Sequence, residues 1–259
     1  QVQSHSLLEF SATLQELSTE AVAADVAAVR AMGLPHKDTN DDDLPMASRM
    51  YLAMRAYLQH ERYDALTVRC WPEMSNVFGQ WPYFGIARLA EEGFAVACEG
   101  DADGALTAWV GESLGFGRCY LSDWLEHDHQ TITTWHIGAT PPSFSPPVGQ
   151  PGGPRIARHF NNKKPSVLEA SLIEDMPVTI ARLWRCDGAY WLTAREGRTI
   201  RPRRHLMATN GLVQMDHTDP GVWFDDLCHA GMPHHVALFK GRHEACLRRF
   251  ARNLNLNFL

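Results

Sequence analysis

The sequence contains no G-x-G-x-x-G, no P-loop, no G-x-S-x-G and no H-E-x-x-H, so no motif points to nucleotide, acyl-transfer or zinc-protease chemistry. It lacks any excess of positive charge: 30 Asp+Glu against 24 Lys+Arg leave a net −6. That balance argues against nucleic acid and anionic membrane surfaces as partners, since neither attracts an acidic protein. Apolar runs such as Phe94–Cys98 are far too short to span a bilayer. The six cysteines include no C-x-x-C pair, and several lie inside apolar, strand-like runs. They read as free thiols of a reduced, cytoplasmic setting rather than as a disulfide framework. No internal repeat is visible. What is present is an ordinary globular composition, 45% hydrophobic and 21% charged over 259 residues, enough for one large domain or two modest ones.

Helical spacing of apolar residues predicts a helix over Leu7–Met32, ended by Gly33-Leu34-Pro35, and a second over Ala47–Glu61. A βα rhythm follows. Strands are expected at Ala65–Cys70, Phe94–Cys98, Arg118–Leu121 and Thr131–Trp135, with helices over Trp81–Glu92 and Ala102–Leu114. The pattern changes at Pro141–Pro154, whose six prolines exclude a helix or a central strand. Beyond it, Arg155–His159, Val178–Leu183, Tyr190–Ala194 and His205–Ala208 read as short strands separated by turns. Gly221–Ala230 reads as a helix, His235–Phe239 as a strand, and Arg242–Asn253 as a closing helix.

The expected architecture is therefore α/β: a parallel βα sheet domain followed by a small antiparallel, barrel-like C-terminal domain. The corresponding divisions are a helical segment 1–62, an α/β metal-site domain 63–142 and a β-rich domain 143–259. The chain opens on Gln1 directly into a helix-like segment, so residues 1–62 are expected to be the end of a missing upstream domain.

The most informative stretch is Ala97-Cys98-Glu99-Gly100-Asp101-Ala102-Asp103-Gly104, an apolar strand running into a carboxylate just before a helix. Ligands gather at the carboxyl ends of strands in open α/β sheets, and Glu99 would stand there. Asp101 and Asp103 fall in the first helical turn, where a cap-and-dipole role accounts for them. Asp123 after Cys119-Tyr120-Leu121-Ser122 repeats the arrangement, and so does His136 after Thr131–Trp135. Oxygen donors with an imidazole suit Mn²⁺, Mg²⁺ or a similar cation. Capping or surface roles explain each of the three residues taken singly. His234-His235 enters another apolar run, where adjacent residues of an extended segment point to opposite faces, so at most one should reach a given site. His127 and His129, in an acidic run, read as solvated loop residues. Arg155–His205 holds eleven Lys/Arg against five Asp/Glu, either a solvated face or a surface that attracts an anionic substrate.

The run Ala97–Thr107, then Leu121-Ser122-Asp123, Trp135-His136-Ile137-Gly138, Pro233-His234-His235 and Gly241, resembles the L-fucose/L-arabinose isomerase superfamily, from roughly Asp64 to the C-terminus. The resemblance implies that Glu99 and Asp123, 24 residues apart, bind a catalytic Mn²⁺ (or Mg²⁺ or Co²⁺) together with His235, and His136 as a further ligand. It implies a homo-oligomeric aldose–ketose isomerase in which Glu99 and Asp123 also carry the proton between C1 and C2. Trp71, Trp81, Trp124 and Trp135 are candidate sugar-facing aromatics. Arg55, Arg69 and the Arg155–Arg204 cluster leave room for a sulfonated or phosphorylated sugar. The alternatives are a non-catalytic sugar-binding or scaffold fragment, which need hold no metal, and a metal-dependent hydrolase or aldolase.

Overall fold

The computed structural model describes residues 1–259. In chain order its elements are α1 (Leu7–Glu16), α2 (Thr19–Ala31), β1 (His36–Lys37), α3 (Leu44–His60), β2 (Ala65–Val68), α4 (Glu73–Phe78), α5 (Tyr83–Glu92), β3 (Ala95–Cys98) and α6 (Ala102–Ser113). Then follow β4 (Cys119–His127), β5 (Thr131–His136), β6 (Arg155–Ala157), β7 (Val167–Ser171), β8 (Pro177–Cys186), β9 (Ala189–Ile200) and β10 (Thr209–Met215). The chain ends with α7 (Pro220–His229), β11 (His235–Lys240), α8 (Glu244–Asn253) and β12 (Asn257–Phe258). No helix is long and apolar enough to cross a membrane.

The expected parallel βα sheet is not what forms. Of the four strands expected to form it, only β2 and β3 pair in parallel, as an isolated two-stranded sheet. β4 and β5, expected to continue it, are an antiparallel hairpin. The residues between them are Asp128-His129-Gln130, whereas a parallel crossover needs a dozen or more. Asp128 fixes the turn, its Oδ1 accepting from the backbone N–H groups of Gln130 and Thr131. The hairpin joins a closed, six-stranded antiparallel barrel in the order β10-β5-β4-β11-β8-β9, with β9 pairing back onto β10. The barrel thus takes β4 and β5 from before residue 142 and its other strands from after it. β7, β6 and β1 extend from β10, and β12 lies beside β9. The architecture is mixed α/β around that barrel.

Smaller expectations also shift. Leu7–Met32 is two helices because Ser18 caps the second, its side chain accepting from Ala21 N–H. His205–Ala208 lies outside the strands, and β10 begins only after Ala208, whose φ of 72° departs from extended backbone.

The core has three parts, one of them under the N-terminal helices, with Val22, Val26, Val29, Leu44 and Phe84, and two at the barrel. Tyr120, Ile132, Val178, Ile180, Trp184, Val213, Val236 and Leu238 form one cluster of barrel residues. Leu121, Ala181, Leu183, Ala237 and Phe239 face the other way and pack against Val96, Ala97, Cys98, Ala105 and Ala108 of β3 and α6. α6 lies very close to the barrel at Gly111, where an added Cβ would stand 2.2 Å from Phe239 Cε1. Gly111→Ala is therefore expected to destabilise the fold by about 1–3 kcal/mol, read as a lower urea midpoint with an unchanged slope.

Candidate metal centre

The site lies where β3 ends against the outer wall of the barrel. β3 is fully buried through Cys98, and the chain then leaves the strand through two left-handed residues, Glu99 (φ 59°) and Gly100 (φ 73°). Glycine takes this conformation freely, but a glutamate there is uncommon and held by its surroundings. Asp101 follows as the N-cap of α6, its Oδ1 accepting from Gly104 N–H at 2.8 Å.

On the barrel, His235 of β11 pairs with Asp123 of β4, which pairs in turn with Trp135 of β5. Directly paired residues share a face of the sheet, so these three side chains stand in a row. His235 Nε2 is 3.5 Å from Asp123 Oδ1 and 3.6 Å from Glu99 Oε2. His235 is 3% exposed, and its Nε2 has no hydrogen-bond partner. Nδ1, by contrast, donates to Asp101 Oδ2 at 2.9 Å. Asp101 also receives two 2.7 Å hydrogen bonds from Arg182, which is itself 1% exposed. A carboxylate thus fixes the imidazole so that Nε2 faces two further carboxylates, an arrangement that orients a histidine toward a metal.

His136 joins from β5: one ligand atom each from Glu99, His136 and His235 lie within 4.8 Å of one another. Its Nε2 is 3.3 Å from Cys98 Sγ. Burial pushes the His136 pKa down to about 3, which keeps the ring in the neutral form that binds metals. A second group consists of Asp123, His234 and His235. His234 Nε2 is 3.4 Å from Asp123 Oδ1 and 4.0 Å from Glu99 Oε2. Both histidines therefore reach the site, against the opposite-faces expectation, because His234 precedes β11 and does not share its pleat.

Charge is concentrated here. Burial pushes Asp123 up to about 6, with the neighbouring Glu99 charge adding to it. Glu99 is held below its ordinary value by His235 beside it. Burial disfavours charge on both Asp101 and His235, but their mutual hydrogen bond prevails. Asp101, held by Arg182 as well, falls well below the usual carboxylate range, and His235 rises to about 9. A buried Nε2 without a partner, set between two carboxylates that raise each other's cost of ionisation, fits a divalent cation. Glu99, Asp123 and His235 would hold it, with His136 and His234 within reach.

The other expected residues fall elsewhere. His127 accepts a hydrogen bond from Trp124 Nε1, and His129 is solvated beside Asp219. Trp81 and Trp124 are buried, while Trp71 is partly exposed and Trp135 half-buried. Arg55 pairs with Glu92. Arg69 is different. The pairing Val68↔Cys98 sets it level with Glu99, and its stem passes over Gly100, where an added Cβ would lie 3.6 Å from Arg69 Cβ. Its side chain is 78% exposed, with one solvent-facing ion pair to Glu73 at 3.2 Å. Sequence reasoning undervalued Asp101 and His234; the only signals for them were the acidic run after Glu99 and the doubled histidine.

No protein-family model matches the chain. Among curated proteins, it is similar to the sulfoquinovose isomerases of Priestia aryabhattai and Priestia megaterium, 27% identical over 220 residues in each case. Those matches cover 84% of this chain and 48% of each relative. It is also similar to the sulfoquinovose isomerase of Alkalicoccus urumqiensis, 29% identical over 210 residues, covering 79% of this chain and 46% of the relative. The chain spans about half the length of the curated relatives it matches.

Proposed function

We propose that this chain carries the active site of a divalent-metal-dependent aldose–ketose isomerase for a sulfonated sugar. The observation that carries the reading is the buried, unpartnered His235 Nε2 between Glu99 and Asp123, in a chain similar to proteins named sulfoquinovose isomerase.

Isomerisation moves one proton from C2 to C1 of the open-chain sugar and a second from O2 to O1. The bonding electrons of C2–H pass into an enediolate and return at C1, with no water consumed and no carbon–carbon bond cleaved. A bound divalent cation, Mn²⁺ in the first instance, would supply Lewis acidity toward the negative charge that develops on the sugar oxygens. Glu99 and Asp123 divide the two proton transfers between them, as positioned general acids and bases. Asp101 holds His235, and Arg182 holds Asp101. Arg69, level with Glu99 at the mouth, supplies positive charge for the sulfonate. A panel of sulfoquinovose, neutral 6-deoxyhexoses, pentoses and sugar phosphates with Mn²⁺ tests the reading, with ketose formation measured. Turnover of sulfoquinovose is expected. Bond cleavage instead of isomerisation, or no conversion in the panel, would overturn it.

Metal should also stabilise the fold, because the cation binds the folded site and not the unfolded chain. At 100 times its dissociation constant the gain is about 2.7 kcal/mol, enough for a clear rise in melting temperature. The effect has a definite sign with pH. Without metal, the raised His235 pKa contributes stability that is fully present below about 6.5 and lost as pH rises through about 9. Over that window the metal-free protein should lose melting temperature. Ligation requires the deprotonated ring, so the Mn²⁺-induced shift should grow over the same window. A shift that shrinks between pH 6.5 and 9, or none at all, contradicts the assignment.

A further inference from the structure

His159, on the loop after β6, is a histidine that the site has not yet used. It is 2% exposed and lies within a continuous stack of rings. Its centroid is 4.5 Å from that of Trp81 at an interplanar angle of 22°, and 4.9 Å from that of Phe160 at 21°. Trp71 stacks on Trp81 at 5.1 Å, Phe160 meets Trp135 edge-on at 5.4 Å, and Tyr83 links Trp81 to His136. The stack thus connects His159 to one candidate ligand, His136, and to the residue paired with another, Asp123.

The loop is firmly held. Trp81 N–H donates to Pro165 O, Trp81 Nε1 donates to Asn162 Oδ1, and Lys164 Nζ donates to Ser75 O. Within it, Asn161 N–H donates to His159 Nδ1 at 3.1 Å. Nδ1 is therefore an acceptor, and in the neutral ring the proton must sit on Nε2. That Nε2–H makes no hydrogen bond within the chain. Burial, with Lys163 nearby, pushes the His159 pKa down to about 4, and Glu99 lies near enough for its charge to oppose the fall. At neutral pH the ring is an uncharged donor in an aromatic wall near Glu99. Although the ring is almost wholly buried, its Nε2 is not sealed from solvent as that of His235 is, so its proton is open to a ligand.

We propose that His159 is a substrate-binding residue that donates its Nε2–H to a hydroxyl oxygen of the open-chain sugar. The proposal rests on the isomerase reading above. A neutral N–H in a stacked wall suits a hydroxyl held against aromatic faces, whereas the sulfonate calls for a full positive charge, which Arg69 carries.

The test compares His159→Phe, which keeps a stacking ring and removes the donor, with His159→Gln, whose amide can both accept from Asn161 and donate to the sugar. Expected for His159→Phe is a fall in kcat/KM of about 10–100-fold, mostly through KM, with Mn²⁺ affinity retained. His159→Gln should recover much of the loss, and sulfonated and neutral sugars should be affected alike. The role is overturned by unchanged kcat/KM in His159→Phe, by equal impairment of both variants, or by a loss confined to the sulfonated sugar. It is also overturned if the loss follows Mn²⁺ affinity or the folded fraction. A wild-type protein that converts no sugar overturns the isomerase reading and this role with it. Wild-type turnover beside an unimpaired His159→Phe overturns the role alone.

Discussion

Glu99→Gln is expected to abolish exchange of the sugar C2 hydrogen with solvent and to lower kcat by about 10²–10⁴-fold. The substitution keeps the side chain's length and leaves the left-handed backbone of residue 99 no more strained than before. It removes only the negative charge and the basicity. The Asp101–His235 hydrogen bond and the Asp101–Arg182 pair do not involve Glu99, so metal-free Glu99→Gln should melt near the wild-type temperature. With Glu99 neutral, one charge that pushes Asp123 upward is gone, and Asp123 should ionise more readily. Exchange followed by proton NMR in D₂O separates proton transfer from later steps. Exchange at the wild-type rate in Mn²⁺-loaded Glu99→Gln would remove Glu99 from the chemistry.

Asp101→Ala should have the largest effect on stability. It strips the partner from Arg182, a guanidinium that is 1% exposed, and breaking a buried pair from one side costs about 3–5 kcal/mol. The same change removes the side-chain cap of α6 and frees His235 Nδ1. Loss of an outer carboxylate behind a ligating histidine lowers metal affinity about 10–100-fold. Combining Asp101→Ala with Arg182→Met removes the orphaned charge and should restore part of the folding stability, though not the metal affinity. Urea denaturation and Mn²⁺ titration measure the two losses separately. A single variant that kept wild-type values in both would overturn both the buried-pair and the histidine-positioning roles of Asp101.

The parts of the candidate site legible in the sequence are those with a local signature. Glu99 and Asp123 each follow a short apolar strand, and His235 enters one. Asp101 was hidden because its capping role already accounted for it. Nothing near it announces Arg182, 81 residues on, or His235, 134 residues on. Strand alternation predicts that His234 points away from His235, but that alternation holds only inside a strand, and His234 precedes β11. Strand existence was easier to read than strand direction. An apolar run such as Thr131–Trp135 looks the same in a parallel sheet as in a barrel, and only the three-residue connection to His127 distinguishes them. β7 carries no clear strand signal because Glu169 interrupts its apolar pattern, although that carboxylate is buried and pairs with Lys37 and Arg155. β9 runs on to Ile200, well past the Ala194 at which its apolar signal stops, because Gly197, Arg198 and Thr199 still pair across to β10.

The pairing of β4 with β11 makes the chemistry of this site a matter of counting. A slip of one residue between them would present Ser122 or Trp124 to His235 in place of Asp123 and turn the carboxylate to the other side of the sheet. The irregularity between Trp124 and Glu126 lies on the far side of Asp123, toward the turn. Length changes in the 128–130 turn therefore have a place to be absorbed before they reach the site, while the stretch from Cys119 to Asp123 has none. For the proposed site, the barrel serves as a ruler whose one critical mark is residue 123.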